Sequence, residues 1–147
     1  MAICHILNRN SSTKEAIFIL AVGNPAMLIR IDKKTLEETV VYKEEHEKVF
    51  YDSMQFVDDL NGFAMGDPIE NCLAVIKTND GGKTWQKVNC DVLPKVSEGE
   101  AAFATSNTNL TIKGKSIFMV SGGKKSRVFV SKDFGATWKV YETPIVQ

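Results

Sequence analysis

The 147-residue sequence predicts an all-β chain assembled from successive four-stranded antiparallel units. Three observations predict it. One turn sequence occurs twice, as Thr78-Asn79-Asp80-Gly81-Gly82-Lys83-Thr84-Trp85 and Ser131-Lys132-Asp133-Phe134-Gly135-Ala136-Thr137-Trp138, with hydroxyl, Asp, Gly, Thr and Trp at identical offsets and 53 residues between copies. Short apolar runs flank both copies, so each reads as a turn between two strands. No stretch repeats apolar residues at helical spacing over three turns. A repeat of roughly 45 to 53 residues holding about four strands is the period of a propeller blade, and a β-sandwich of short strands is the alternative.

The elements follow in order. In the second unit Ser53 to Val57 opens, Gly62-Phe63-Ala64-Met65-Gly66 comes next, Leu73-Ala74-Val75-Ile76 leads into the turn and Gln86-Lys87-Val88 leaves it. In the third, Ala101 to Ile112 opens, followed by Ser116 to Gly122, Val128-Phe129-Val130 and Lys139-Val140-Tyr141. The upstream Gly and the turn Asp are 14 residues apart in one unit and 11 in the other, a difference of three residues absorbed in a loop. A degenerate first unit holds Ile17 to Gly23, Met27 to Ile31 and Thr39 to Tyr42; its turn, Asp32-Lys33-Lys34-Thr35-Leu36, has lost the shared motif, and no opening strand is readable. The expected organisation is one propeller segment, residues 1–147, with approximate blades 1–48, 49–96 and 97–147.

The repeated turn is explained by folding. Thr78, Asp80 and Thr84, like Ser131, Asp133 and Thr137, can satisfy turn amides that a tight reversal leaves unpaired. Gly82 and Gly135 supply positive φ. Trp85 and Trp138 open the return strand, where a large ring packs beneath the turn and its N–H is expected to find a carbonyl.

In this spacing the chain resembles the Asp-box, or BNR, repeat of sialidases and other propellers. Over residues 16 to 147 it is similar to the Asp-box propellers of the photosystem II stability and assembly factor type, whose bacterial relatives are often labelled oxidoreductases. The resemblance implies a six- or seven-bladed ring and an extracytoplasmic location. About three blades are present, so the expectation is a segment of a larger ring, with open blade edges available for self-association.

Composition removes several function classes. Eighteen Lys plus Arg balance eighteen Asp plus Glu, so no net field draws the chain to nucleic acid. The apolar run Ala16 to Val22 is far shorter than a membrane helix, and Met1 to Asn10 lacks the pattern of a signal peptide.

If strands alternate direction within a blade, the repeated turns lie at one end and the two-to-three and four-to-next connections at the other. That second rim gathers Asn24 and Pro25, Gly66 to Asn71, Gly122 to Arg127, the link Lys43 to Lys48 with His46, and the link Asp91 to Glu100 with Glu98. Asp67, Glu70, Glu100 and Arg127 are the candidate residues for a polar ligand or protein partner, because they flank strand ends. The plainer reading is a wet polar loop set. Gly122-Gly123-Lys124-Lys125 lacks the helix that a phosphate loop opens.

Catalysis finds little support. A sialidase needs several arginines and a Tyr activated by a carboxylate; here there are only Arg9, Arg30 and Arg127, and Tyr42, Tyr51 and Tyr141 have no assignable partner. A carboxylate pair such as Asp67 with Glu100 is the remaining glycosidase option. No dinucleotide fingerprint is present, and His5, His46 and the three Cys show no zinc spacing, so no cofactor and no metal is expected. Cys72 and Cys90 lie nine residues either side of Gly81 and face one another across the hairpin. Two buried thiols are the expectation, a disulfide the alternative, and Cys4 is free in either case. Asn10-Ser11-Ser12 and Asn109-Leu110-Thr111 match the glycosylation pattern by chance-length motifs.

The sequence therefore leads to a non-catalytic binding or scaffold module. A glycoside hydrolase of sialidase type, incomplete in this chain, and a fragment without independent function stand as alternatives.

Overall fold

The computed structural model describes residues 8–103 and 108–145. Cys4, His5 and residues 104–107 of the expected 101–112 strand lie outside the described residues. Among the described residues the chain is all-β, with a single 3₁₀ turn at Cys90–Val92.

Three sheets follow one another along the chain, each an antiparallel meander in chain order. The first contains β1 (Asn8–Ser12), β2 (Ala16–Ala21), β3 (Ala26–Asp32) and β4 (Glu38–Glu44). The second contains β5 (Tyr51–Phe56), β6 (Gly62–Pro68), β7 (Leu73–Thr78) and β8 (Gln86–Lys87). In the third, β9 (Glu100–Ala101) precedes β10 (Leu110–Lys113), β11 (Ser116–Gly123), β12 (Arg127–Ser131) and β13 (Lys139–Glu142). Two expectations are corrected. The first unit does have an opening strand, β1, and the span 101–112 is not one strand: β9 pairs with the far end of β11 at Gly122 and Gly123, while β10 pairs with its start.

Strand alternation assigns each face to a neighbour. In β2, Ala16, Phe18 and Leu20 point to the second sheet and are fully buried there with Ala64, Ala74, Ile76 and Trp85. The second sheet is covered on both sides, because the opposite phase of β6 and β7, Phe63, Met65, Leu73 and Val75, packs on Ile112, Ile117, Met119 and Phe129 of the third. Two apolar layers thus lie between three sheets, which is why β6 and β7 read as near-continuous apolar runs rather than alternating ones.

The first strand of each sheet lies beside the first strand of the next, β1 against β5 and β5 against β10. Polar side chains knit these strands. The Arg9 guanidinium donates to the Asp52 carbonyl, Ser53 Oγ donates to Asn109 Oδ1, and the Gln55 amide bonds both ways with Ile112, donating to its carbonyl at 3.3 Å and accepting from its N–H at 3.0 Å. Asn109 is buried and also donates to the Ala102 carbonyl at 2.8 Å, so its sequon is a packing motif.

Both repeated turns, β7–β8 and β12–β13, use one hydrogen-bond set. Asp80 accepts from Thr78 Oγ1 (2.8 Å), the Thr84 amide (3.0 Å) and Thr84 Oγ1 (2.6 Å); Asp133 accepts from Ser131 Oγ (2.8 Å), the Thr137 amide (2.8 Å) and Thr137 Oγ1 (2.5 Å). Gly82 N–H donates to Thr78 Oγ1 and Gly135 N–H to Ser131 Oγ, at 3.0 and 2.8 Å. Both glycines have positive φ, 76° and 83°. The tryptophans differ. Trp138 Nε1 donates to the Gly135 carbonyl at 3.2 Å, but Trp85 Nε1 is buried without a partner, contrary to expectation. Trp85 is drawn into the apolar layer by edge contacts with Phe18 and Phe56, at 6.3 and 5.6 Å between centroids, and ring burial there outweighs one unpaired N–H.

A fourth departure concerns Cys72 and Cys90, which are bonded, with Cα atoms 5.7 Å apart. They lie just outside β7 and β8, where Cys72 bridges to Lys95 and Cys90 begins the 3₁₀ turn. The hairpin holds the two backbones within disulfide reach.

Candidate ligand-binding rim

The end of the stack away from the repeated turns carries the β6–β7 and β11–β12 connections and the links between sheets. Glu100 and Arg127 meet there. Glu100 sits on β9, and its pairing with the glycine end of β11 aims the carboxylate at the start of β12. Arg127 Nε donates to Oε1 at 2.9 Å and Nη2 to Oε2, a bidentate pair. Ser121 Oγ and the Ser97 amide complete the acceptor capacity of Glu100. Burial works to raise the Glu100 pKa, but the hydrogen bonds from Arg127 and Ser121 outweigh it and hold the carboxyl below its ordinary value. The guanidinium also donates to the Lys95 carbonyl at 2.9 Å and lies 5.1 Å from the Phe129 ring centroid. This pair ties the inter-sheet link to the third sheet.

Asp67 is engaged as well, its Oδ1 accepting from the Ala102 amide at 2.9 Å. Glu70 is exposed. It lines a cavity of about 320 Å³ with Ile69, Lys87, Val88, Asn89 and the Cys72–Cys90 disulfide. Of the four candidates, the structure joins Glu100 to Arg127 and leaves Asp67 and Glu70 apart from that pair.

Two features here were missed by sequence reasoning. Asp52, inside β5, is wholly buried, and among the described residues neither carboxylate oxygen makes a well-formed hydrogen bond. Burial, reinforced by the charge of Asp67 and only partly countered by Arg9, pushes its pKa up to about 7. The register shift between Tyr51 and Ser53 turns this side chain inward, and a bulge of that kind leaves no mark in residue alternation.

The second is Glu44, at the end of β4. It accepts from Tyr42 and Tyr51 hydroxyls at 2.9 and 2.8 Å and pairs with Lys87 of the second sheet. Tyr42 and Tyr51 therefore do have a carboxylate partner, correcting the expectation of none. Burial pushes Tyr42 up to about 12 and Tyr51 further in the same direction. A phenol so shifted donates a hydrogen bond and does not ionise near neutrality, which is the opposite of an activated nucleophile.

Among the described residues no group of three or more His, Cys, Asp and Glu forms a metal cluster, and no helix is long and apolar enough to cross a membrane. No family model, curated protein or solved structure matches the chain.

Proposed function

We propose that the chain is a three-blade segment of an Asp-box β-propeller that acts as a binding or scaffold module, with its ligand or protein partner at the rim opposite the repeated turns. One observation carries this reading: the carboxylates Glu100, Glu44, Asp80 and Asp133 are spent on bonds inside the fold. Glu100 is saturated by Arg127, Ser121 and Ser97. Glu44 is held by two phenols and Lys87. Asp80 and Asp133 direct their oxygens at their own turns. Among the described residues the rim opens into a cavity beside Glu70, with Ile69, Leu73 and Val88 beside Glu70 and Lys87, and another of about 250 Å³ lined by Lys124, Lys125 and Glu142; the first suits a polar ligand or an inserted side chain. The Cys72–Cys90 bond supports an oxidising, extracytoplasmic compartment.

The rival reading, a carboxylate-pair glycosidase, draws on Asp52, a buried acid poised near neutrality beside Asp67. A panel of aryl glycosides that includes sialosides separates the two. The binding reading expects no turnover. Turnover abolished by Asp52→Asn or Asp67→Asn overturns it.

A further inference from the structure

Every sheet carries the same two half-faces. On its second strand, Phe18 and Leu20, Phe63 and Met65, and Phe118 and Val120 share one phase; Ile17 and Ile19, Gly62 and Ala64, and Ile117 and Met119 share the other. Inside the molecule the first phase of one sheet is buried on the second phase of the next, twice over. Among the described residues two half-faces remain open. On the third sheet Phe118 continues through Val120, Val128, Val130 and Tyr141; on the first, Ile17 continues through Ile19, Ile29, Ile31 and Val40. Phe118 and Tyr141 are 37% and 53% exposed, Ile17 and Val40 41% and 55%. Contiguous apolar faces of this kind mark interfaces.

Resting on the propeller reading, we infer that the occupant of each open face is a second copy of this chain, the two copies joined head to tail at both ends to close a six-sheet ring. The open face of the third sheet needs a partner in the opposite phase, and the first sheet of another copy presents one. Charge agrees. Glu38 follows Ile31 by seven residues, as Trp85 follows Thr78 and Trp138 follows Ser131, so it stands where the other sheets place the Trp that reaches back to the preceding sheet. The face it would meet carries Lys139, paired with Val130, and Lys113, on the same side as Thr111 opposite Phe118. None of these three charges is ion-paired among the described residues. A head-to-tail contact ends at two copies only if the rotation closes, and otherwise grows into a filament.

Sedimentation equilibrium of the chain, with Ile29→Asp on one open face and Val130→Asp on the other, tests this. The wild type is expected at twice the 16.3 kDa chain mass. Each variant alone should weaken the dimer by roughly a hundredfold, and an equimolar mixture of the two should regain a dimer through its one intact contact. Should either variant misfold, Glu38→Lys and Lys139→Glu replace them, each alone weakening the dimer and the two combined restoring it. A monomeric wild type, or a dimer that survives one of the single-face variants, overturns the second copy while leaving the propeller reading standing. Head-to-tail complementation accompanied by open-ended growth with concentration overturns closure, and the propeller reading with it.

Discussion

Phe18 of the first sheet lies against Gly82 of the second, so closely that a Cβ at position 82 would stand 2.3 Å from two of its ring carbons. The equivalent contact in the next layer, Phe63 against Gly135, leaves 3.4 Å to the same imagined atom. Gly82→Ala must therefore displace a buried ring and also adopt a φ of 76°, whereas Gly135→Ala meets mainly the backbone strain. The expected losses are about 3 kcal/mol and about 1 kcal/mol in urea unfolding, in that order.

Asp133 tests the turn chemistry. The Thr137 hydroxyl and amide, with Ser131, hold its pKa down to about 2, below the ordinary 3.8. A lowered folded value means the unfolded chain takes up the proton first, so this stabilisation is present above the unfolded value and fades as pH falls toward about 2. Asp133→Asn should flatten the acid limb of the stability profile over that window. Proton-coupled NMR shifts of Asp133 check the midpoint directly.

Asp52 behaves in the opposite sense. Its folded pKa, about 7, lies above the unfolded 3.8, so the folded state retains a proton that the unfolded chain has lost. Stability then falls as pH rises from about 4 to about 7 and levels off above. Asp52→Asn removes the ionisation, and unfolding measured at pH 8 should show a gain of about 1 to 3 kcal/mol that is absent near pH 4.

The strands were legible because two turns repeat in phase, and Asp80, Thr84 and Trp85 could be matched to Asp133, Thr137 and Trp138 without any knowledge of packing. β1 was not, for a physical reason: Asn8-Arg9-Asn10-Ser11-Ser12 contains no apolar residue, so a strand defined by its ladder to β2 carries no alternation. The rim was legible only in part. Glu100 and Arg127 were singled out separately, but their pairing depends on β9 meeting the end of β11, a contact set by Gly122 and Gly123 rather than by any pattern in charge. Asp52 escaped notice because a bulge reverses its face, and Glu44 because its partners Tyr51 and Lys87 belong to the next sheet.

Reduction offers a further measurement. The Cys72–Cys90 bond spans a sequence separation of 18, and opening a loop of that size is expected to cost about 3 kcal/mol. Thermal unfolding with and without reductant, compared with a Cys72→Ser, Cys90→Ser double variant, should show the wild type falling to the level of the variant on reduction and the variant unchanged.

The second sheet lies between the first and the third and meets them with opposite phases of its strands, Ala64, Ala74 and Ile76 toward the first and Phe63, Met65 and Val75 toward the third. Nuclear Overhauser contacts between aromatic rings and turn protons test it most directly. Contacts from Phe18 to Gly82 and from Phe63 to Phe134 and Gly135 are the predicted result; direct contact between the rings of Trp85 and Trp138 across one shared core would contradict it.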